Sequence, residues 1–265
     1  MRNINDVSKK DENLISEFAD ITATMLSETG INMNFAPVLD IDNNSKSKVI
    51  YKRCFYGDEN NVIRMSKLFS YSFRKHNVVP VVKHFPGHGA SKHDSHFMVP
   101  YIWKYQNILK THIIPFEKTF EYTDAIMLGH LVIRKLTKGM PASIENSFIK
   151  EFLRKHYDNL VISDEISMLK RNILWPIYSK KMLKANVDMV LIKIKNKKQG
   201  IKYIEKYSKV YNKKLLDKSV ERILKIKDKY NISDKTDVRG TDIEKLNQRI
   251  EKINNLFKNW QKAII

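Results

Sequence analysis

Short continuous apolar runs alternate along the chain with segments in which apolar residues recur every three or four positions. The runs predict buried strands at 34–39, 78–84, 124–130, 160–164 and 187–193. The periodic segments predict helices at 11–29, 62–73, 105–121, 144–156 and a further one ending at residue 185. Because strand–helix–strand alternation is typical of parallel strands with right-handed crossovers, the pattern predicts an α/β fold with five parallel strands.

The last part of the chain shows only the helical pattern. One apolar stripe comprises Leu216, Val220, Ile223 and Leu224. A second stripe, opened by a capping-box sequence at 241–244, comprises Ile243, Leu246, Ile250, Ile253, Phe257 and Trp260. Such a stripe either docks on its own domain or pairs with a partner helix as a coiled coil. Since no linker interrupts the chain, we expect one domain over 1–265, with 205–265 as its helical C-terminal part.

The high positive charge of the chain raises the question of whether it binds nucleic acid. The 265 residues carry a formal net charge of +19, which is typical of proteins that bind nucleic acid or an anionic surface. The lysines are spread along the chain, however, and are not interleaved with arginine and aromatic residues as in nucleic-acid sites. We therefore expect no specific nucleic-acid partner, and keep a basic nucleic-acid-binding protein as an alternative.

The cysteine content and the hydropathy of the sequence predict in which cellular compartment the protein lies. The single cysteine, Cys54, excludes an intrachain disulfide and fits a reducing environment. The first residues have no apolar core of signal-peptide length, and no segment approaches the roughly 18 apolar residues of a membrane span. We expect a cytoplasmic protein that has no membrane partner.

Titratable side chains concentrate where predicted strands end. Asp40, the adjacent pair Lys83 and His84, His130 and Asp164 all stand at such ends. In a barrel of parallel strands the carboxyl ends share one face, where active sites form. The second of these strands continues into a glycine-rich loop, 83–96, that holds four histidines, two lysines and an aspartate. Core packing does not require such a loop, so we expect the active site there.

Three residues have the chemistry of acid–base and nucleophilic catalysis. Asp94 and His96 lie two positions apart, so in an extended loop they project to one side and the carboxylate can hold the imidazole. A histidine held in this way can donate and accept protons near neutral pH. Asp164 follows the buried run Leu-Val-Ile-Ser, where an unused carboxylate would be costly, and is the candidate nucleophile.

A zinc site is the competing interpretation of the same loop. His88, His93 and His96, with Asp94, are ligand types that zinc accepts. Only His93 and His96 have a helical spacing, and the glycines predict a mobile loop rather than a preorganised one. Pro-Gly-His-Gly at 86–89 matches neither a Walker motif nor a dinucleotide fingerprint. We expect no metal and no cofactor.

Several blocks, in this order, resemble the β-N-acetylhexosaminidase branch of glycoside hydrolase family 3. They are Gly-Ile-Asn-Met-Asn-Phe-Ala-Pro-Val-Leu-Asp at 30–40, Lys-His-Phe-Pro-Gly-His-Gly at 83–89, Asp-Ser-His at 94–96, Ala-Ile-Met at 125–127 with His130, Pro-Ala-Ser at 141–143, and Ser-Asp-Glu-Ile-Ser-Met at 163–168. The second and third blocks are highly specific. The resemblance extends from about residue 15 to the end of the chain.

This resemblance implies a catalytic (β/α)8 barrel and a retaining, two-step hydrolysis. It makes Asp164 the nucleophile and His96 the general acid and base, partnered by Asp94. It makes Arg53, Lys83 and His84 the residues that bind the substrate. It implies neither metal nor cofactor, and a substrate with terminal β-linked N-acetylglucosamine, such as a muropeptide released in peptidoglycan recycling of the bacterial cell wall.

The sequence departs from the family at its beginning. Family members start with about three further strands, one of which ends in an Asp-Gln-Glu-Gly-Gly-like motif that binds the sugar. The resemblance therefore implies a TIM-type barrel truncated to about five parallel strands, with an open edge that self-association could cover. A catalytically impaired remnant of the family is the alternative to an active glycosidase.

Overall fold

The computed structural model of the chain describes residues 12–41, 50, 52–91, 99–169, 175–208 and 213–232, with six positions between 244 and 255. His93, Asp94 and His96 lie outside the described residues, as does most of the predicted last helix, 241–260. None of the helices within the described ranges has the length and apolar character that crossing a membrane requires.

Four parallel strands form the central sheet. They are β1 (Met33–Asn34), β2 (Val79–Phe85), β4 (Ala125–Leu128) and β6 (Leu160–Ser163), in the spatial order β1–β2–β4–β6. Two further strands, β3 (Tyr101–Ile102) and β5 (Val132–Ile133), form a separate parallel pair. All pairings in the central sheet are parallel and follow chain order, as expected for strands joined by helical crossovers.

Helices and short helical turns connect these strands. The long helices are α1 (Glu12–Glu28), α2 (Glu59–Lys75), α3 (Trp175–Lys184), α4 (Lys197–Ser208) and α5 (Lys213–Lys229). The shorter turns are His88–Ala90, Tyr105–Asn107, Ile108–His112, Ile114–Glu117, Phe120–Tyr122, Asn146–Ile149, Lys150–Arg154 and Ile166–Leu169. The predicted helix at 105–121 is thus a series of short turns, because Pro115 lacks the N–H that a continuous helix would need there.

The predicted fifth strand keeps its position without becoming a regular strand. Met189 forms an isolated parallel bridge with Ile162 of β6. The backbone N–H of Ser163 donates to the Met189 carbonyl at 2.9 Å, and the N–H of Ile166 donates to the Leu191 carbonyl at 2.9 Å. The segment 187–193 therefore lies along the edge of the sheet beyond β6, with its apolar side chains from 189 to 192 only partly buried.

Local capping explains where the first two long helices begin and end. Gly30 has a left-handed φ of 78°, and the N–H of Ile31 donates to the Leu26 carbonyl at 2.8 Å, so α1 ends in a Schellman motif. The Asp58 side chain accepts the N–H of Asn61 at 3.0 Å and caps α2. The predicted apolar face of α2 is buried throughout: Val62, Met65, Phe69 and Phe73.

The two faces of the sheet bury different sets of residues. One face contributes Val79, Val81, Ala125, Met127, Leu160 and Ile162 to a small apolar cluster. That cluster is completed by Ile226 of α5 and by Tyr230. Successive side chains of a strand point to opposite faces of the sheet. Lys83 lies two positions after Val81, and Asp164 two positions after Ile162, so both belong to the face of this cluster. The pleat therefore directs both polar side chains to one face, at the carboxyl end of the sheet.

Helix α5 docks through only one residue of the predicted stripe, Ile223, which packs against the same apolar cluster as Ile226. Leu216, Val220 and Leu224 are exposed, whereas Ser219 and Ile226 are buried. Polar anchors select this rotation of the helix, because two aspartates at the amino ends of strands need partners. Arg222 and Ser219 bind Asp188, and Lys229 and Tyr230 bind Asp124. The apolar pattern of the sequence does not show that these two aspartates hold the helix.

Asp188 lies at the centre of a buried ion cluster. Its carboxylate pairs with Arg154 at 2.6 Å and with Arg222 at 3.1 Å. It also accepts the N–H of Val161 at 2.9 Å and the hydroxyl of Ser219 at 3.0 Å. The carboxylate therefore ties together the turn that carries Arg154, the start of β6 and helix α5, which supplies both Arg222 and Ser219.

Replacing this carboxylate should destabilise the protein strongly. We expect Asp188→Ala to lower the free energy of unfolding by about 3–5 kcal/mol, because it leaves the buried guanidinium of Arg154 without its carboxylate partner and removes one of the two carboxylates that bind Arg222. The exposed pair of Glu151 and Lys155, with atoms 3.1 Å apart, is the control, and Glu151→Ala should cost about 0.5 kcal/mol. Urea unfolding of both variants measures the difference, and equal losses would contradict the anchoring role.

Candidate active site

The structure gathers most of the predicted site residues at the carboxyl ends of the strands. Lys83 and His84 belong to the end of β2, and Asp164 directly follows β6. The charges of Arg53, Asp164 and Asp40 act on Lys83, and those of His84 and Lys83 act on Asp164. The five groups therefore form one electrostatic cluster.

Asp40 is the buried acceptor that organises this cluster. Its carboxylate is fully shielded from solvent and accepts the ring Nδ1–H of His84 at 2.7 Å. It also accepts the backbone N–H groups of His88 at 2.5 Å and His84 at 3.4 Å. Burial alone would raise the pKa of Asp40, but the hydrogen bond and charge of His84 outweigh it, so the pKa is lowered.

This contact fixes the orientation of His84. Since Nδ1 donates to Asp40, the other ring nitrogen, Nε2, is left to face a ligand, and the ring cannot rotate without breaking the bond. Sequence analysis singled out both residues but did not pair them, because they lie 44 positions apart in the chain. The only local signal was that each follows a predicted strand.

The glycines of the loop serve close packing. A Cβ on Gly89 would lie 2.0 Å from the carbonyl oxygen of Ile41, and one on Gly87 would lie 2.6 Å from the Cβ of His112. Gly87 also has a φ of 126°, which side chains rarely allow. The turn is held by the N–H of Gly87 on the His84 carbonyl at 2.8 Å. Our expectation of a mobile loop is thus wrong for this turn, because the absent side chains let the loop press against the body of the domain.

Of the candidate zinc ligands in this loop, the structure describes only His88, which lies in the same turn. Its ring is buried, with both nitrogens lacking a hydrogen-bond partner among the described residues, and its burial lowers the pKa so that the neutral form is favoured. Within the described ranges, no group of three or more His, Cys, Asp or Glu side chains could hold a metal ion. Because the proposed ligands His93, Asp94 and His96 lie outside those ranges, the absence of a metal stays a prediction.

Asp164 is set up as an ionised carboxylate. Its N–H donates to the Leu128 carbonyl of β4 at 2.9 Å, which fixes the backbone, and its Oδ1 accepts the N–H of Glu165 at 2.8 Å. Burial acts to raise the pKa of Asp164, but the charges of His84 and Lys83 and this N–H lower it below its usual value. An anionic oxygen at neutral pH is what nucleophilic attack requires.

His130 holds the residues around Asp164 in place through a hydrogen bond to the backbone of Glu165. Its Nε2–H donates to the carbonyl of Glu165 at 3.0 Å, which leaves Nδ1 to accept the Ser143 hydroxyl at 2.6 Å. Burial lowers the pKa of His130, so the ring is neutral and can fill both roles. Sequence analysis named His130 as a site candidate without its partners, although Ser143 and Glu165 both lie in the blocks that carried the family resemblance.

Lys83 and Arg53 supply positive charge to the cluster. Burial, followed by the charge of Arg53, lowers the pKa of Lys83, while Asp164 and Asp40 act in the opposite direction. Lys83 is half-buried and Arg53 is exposed, so the first lies deeper in the site. A cation beside Asp164 keeps that carboxylate ionised and can bind a sugar hydroxyl.

The Asp40–His84 contact gives a testable positioning role. We expect Asp40→Asn to lower kcat/KM of a glycosidase reaction about 10- to 100-fold, mainly through KM, because the neutral amide holds the Nδ1–H of His84 less strongly than the carboxylate and can instead turn its NH2 group toward the ring, so the tautomer is no longer fixed. Asp40→Glu, which keeps the charge, should recover part of the loss. A thermal melt of each variant separates this effect from unfolding, and an unchanged KM in a folded Asp40→Asn protein would contradict the assignment.

Comparison with known proteins places this geometry in a family. The family model described as the glycosyl hydrolase family 3 N-terminal domain matches residues 3–226. The chain belongs to glycoside hydrolase family 3. The match covers every described strand and each of the clustered residues above.

Individual relatives agree with this assignment. The chain is 29% identical over 186 residues to the beta-hexosaminidase of Pseudomonas aeruginosa, covering 68% of this chain and 55% of that protein. It is 34% identical over 178 residues to the beta-hexosaminidase of Hydrogenovibrio crunogenus, covering 65% and 49%. The chain thus spans about half the length of the curated relatives it matches.

Solved structures confirm the fold class. The family 3 beta-N-acetylglucosaminidase of Paenibacillus sp. superposes with a TM-score of 0.80 at 25% identity, covering 95% of this chain and 51% of that one. LpqI of M. tuberculosis superposes with a TM-score of 0.75 at 22% identity, covering 85% and 70%. The predicted α/β fold, a partial TIM-type barrel with parallel strands, is therefore confirmed.

Proposed function

We propose that this glycoside hydrolase family 3 chain hydrolyses terminal β-linked N-acetylglucosamine with retention of configuration. The observation that carries the proposal is the environment of Asp164, an ionised carboxylate at a strand end within a cluster of cationic and imidazole groups. The beta-hexosaminidase names of the relatives support the sugar. The family membership supports the bond type.

The proposed reaction proceeds in two displacements. In the first, a carboxylate oxygen of Asp164 attacks the anomeric carbon while the glycosidic oxygen leaves with a proton from His96. In the second, a water molecule gives its proton to His96 and attacks the same carbon, releasing Asp164 and the free sugar. Asp94 would hold the ring of His96 in the required tautomer. A histidine in this role is neutral after it donates its proton, so it adds no second negative charge beside Asp164.

The cluster around Asp164 supplies the proposed sugar contacts. Lys83 donates from a half-buried ammonium, and His84, fixed by Asp40, presents its Nε2. Arg53 adds a charged donor at the exposed side of Lys83. Lys83 and Arg53 would donate to sugar hydroxyls, and the Nε2 of His84 would accept from one, which would keep the sugar ring aligned with Asp164 and so provide the rate gain that comes from positioning.

The proposed natural substrate is a muropeptide, and the proposed setting is peptidoglycan recycling in the cytoplasm. The names of the relatives support the N-acetylglucosamine unit, and the muropeptide is what the resemblance of the sequence to the β-N-acetylhexosaminidase branch implies. The location is supported by the presence of a single cysteine, Cys54, in the sequence, which excludes an intrachain disulfide and fits a reducing compartment.

Hydrolysis of a fluorogenic aryl β-N-acetylglucosaminide by the purified chain tests the proposal. We expect turnover with this substrate and much slower turnover with the matching β-glucoside. Proton NMR of fresh product should show the β anomer first, as retention requires. A chain that melts cooperatively yet releases no fluorophore would favour the impaired remnant instead, and early α anomer would contradict the two-step mechanism.

A further inference from the structure

Helix α4 and the residues just before it carry a dense group of exposed cations. In the whole chain 48 of 265 residues are lysine or arginine, whereas lysine alone makes up six of the 14 residues at 193–206. Glu205 is the one acidic residue of this segment. The general basicity of the chain does not account for such a density. The lysines, all exposed, are Lys193, Lys195, Lys197, Lys198, Lys202 and Lys206.

The ion pairs of the described residues do not use these lysines. In the described ranges, the pairs between a lysine and a carboxylate involve Lys75, Lys155 and Lys229. The six ammonium groups at 193–206 therefore present their charge to the surroundings of the protein.

Isoleucine side chains are exposed among these lysines. Ile204 is 70% exposed, Ile194 49% and Ile201 47%. Ile201 and Ile204 lie four and seven positions after Lys197, so they share one face of α4 with it. Ile194 packs beside them, because its Cδ1 lies 3.2 Å from where a Cβ on Gly200 would stand, one helical turn before Ile204. We call the three isoleucines and the six lysines the basic–apolar face.

The basic–apolar face is held in a fixed orientation on the domain. Asn196 caps α4, since its side-chain oxygen accepts the N–H of Gln199 at 3.0 Å. The Gln199 side chain accepts the N–H of Lys195 at 2.6 Å and donates to the Tyr203 hydroxyl at 3.0 Å. Tyr203 packs against the main apolar core, and Ile201, two positions earlier, lies about 200° around the helix from it. The isoleucines are therefore directed away from the core.

The face begins beside the candidate active site. The N–H of Lys193 donates to the side chain of Glu165 at 3.0 Å, and Glu165 directly follows Asp164. Since segment 187–193 runs parallel to β6, Lys193 stands at the carboxyl end of the sheet. A partner bound to the face would therefore contact the same end of the sheet as Asp164.

We propose that the basic–apolar face binds the surface of an anionic lipid bilayer. Lysines close to such a surface are attracted to its headgroups, and exposed aliphatic side chains between them enter the boundary between headgroups and acyl chains. Nucleic acid would use the lysines alone, and its sites favour arginine and aromatic rings, so it leaves the exposed isoleucines unexplained.

Peripheral binding of this kind revises our expectation that the protein has no membrane partner. That expectation rested on the lack of an apolar span, whereas an interfacial helix needs only one apolar face with cations around it. Binding needs no turnover, so it stands or falls independently of the proposed hydrolysis. It would bring the carboxyl end of the sheet, with Asp164, close to the membrane.

Sedimentation with lipid vesicles tests the proposal. Vesicles of phosphatidylcholine are compared with vesicles that also contain about 30 mol% phosphatidylglycerol, in about 0.1 M salt. We expect the purified chain to bind the anionic vesicles at least about tenfold more strongly. Lys197→Gln combined with Lys198→Gln should weaken this binding about 20-fold, since each lysine near the surface contributes about fivefold. Ile201→Asn combined with Ile204→Asn should weaken it about tenfold at unchanged charge.

Two matched variants control for charge and apolar surface elsewhere on the protein. Lys118→Gln combined with Lys150→Gln removes two other exposed lysines. Ile31→Asn replaces an isoleucine that is 46% exposed and lies just before β1, at the opposite end of the sheet. Both should bind anionic vesicles within about twofold of wild type. A loss in these controls as large as in the α4 variants would overturn the proposal, because any basic or apolar surface would then suffice.

The remaining outcomes separate a bilayer from other occupants of the face. Wild-type binding by the isoleucine variant together with loss in the lysine variant would mark a purely electrostatic polyanion site, as for nucleic acid, and overturn the proposal. So would a dimer, detected by light scattering, that the isoleucine variant dissociates, since a second copy would then cover the face. Hydrogen exchange of the wild-type chain needs no variant to fold. Slower exchange at 193–206 with anionic vesicles supports the proposal, and unchanged exchange there overturns it.

Discussion

Asp164→Asn should abolish glycoside hydrolysis while leaving the protein folded. The amide is neutral and a poor nucleophile, so the first displacement loses its attacking group, and we expect a fall in kcat of at least about 1,000-fold. The fold should persist because the Asn side-chain oxygen can still accept the N–H of Glu165, a bond of 2.8 Å in the native protein. Release of fluorophore from an aryl β-N-acetylglucosaminide and a thermal melt measure the two effects.

The opposite end of the same strand offers a control for this change. Asp158 precedes β6, and its side chain is 88% exposed and pairs with Arg222. Asp158→Asn removes the same charge at the other end of the strand, and a thermal melt measures any loss of stability from weakening that pair. We expect it to keep most of the wild-type turnover. Mass spectrometry with a slow fluorinated N-acetylglucosaminyl substrate should find the sugar bound to the peptide that contains Asp164. Wild-type rates in Asp164→Asn, or a sugar bound elsewhere, would refute the nucleophile assignment.

The pKa of Asp164 sets a pH limit on this reaction. Because the pKa of Asp164 is lowered in the folded protein, the carboxylate stays ionised at pH values somewhat below the usual aspartate pKa. As the pH falls through the lowered pKa, the protein loses both the nucleophile and the stability that the ionised carboxylate contributes. Acid loss of activity caused by this group should therefore begin below the ordinary aspartate range.

The parallel strands could be predicted because each is a local, continuous apolar run. Val161 and Ile162 are buried on opposite faces of one sheet, so the signal does not depend on distant parts of the chain. The ends of the strands could be predicted as well, since a polar residue stands at the end of each apolar run. Asp40, His84 and Asp164 were therefore predicted to lie on one face, in a common active site.

The contacts within the site could not be predicted in the same way. The bond from His84 to Asp40 joins residues 44 positions apart, and the close approach of Gly89 to Ile41 joins residues 48 apart. Such pairs depend on the register between strands, which the composition of a strand does not encode. The sequence alone therefore located the active-site face but not the internal network that orients it.

The face through which α5 docks could be read only in part from the apolar pattern, for a related reason. An apolar stripe normally identifies the buried face of a helix, yet the ion pairs of Arg222 and Lys229 with Asp188 and Asp124 face the domain instead. Asp188 and Asp124 already bind Arg154 and Arg74, and the further contacts from α5 hold the helix in this orientation although part of its apolar stripe stays exposed. The hydrophobic periodicity of the sequence reports only the apolar contribution to docking, not these ion pairs.

His96→Ala should impair the reaction to an extent that depends on the leaving group. A natural disaccharide leaves as an alkoxide unless it is protonated, so we expect its kcat/KM to fall about 100- to 10,000-fold. An aryl glycoside with an acidic phenol needs little protonation in the first step, and its loss should be at least tenfold smaller. Rates for a series of aryl substrates of graded phenol pKa measure this, and the rate in the variant should depend more steeply on that pKa.

Three comparisons make this result specific to proton transfer. His156 is exposed, and His156→Ala should leave the dependence on leaving group as in the wild type. Asp94→Asn should show the same trend as His96→Ala at smaller amplitude, because it weakens the hold on the imidazole without removing it. The alkaline fall in kcat/KM should flatten in His96→Ala, since the group whose deprotonation causes it is gone. Equal losses for aryl and disaccharide substrates would reject His96 as the acid and leave the proton donor to another residue of the 83–96 loop.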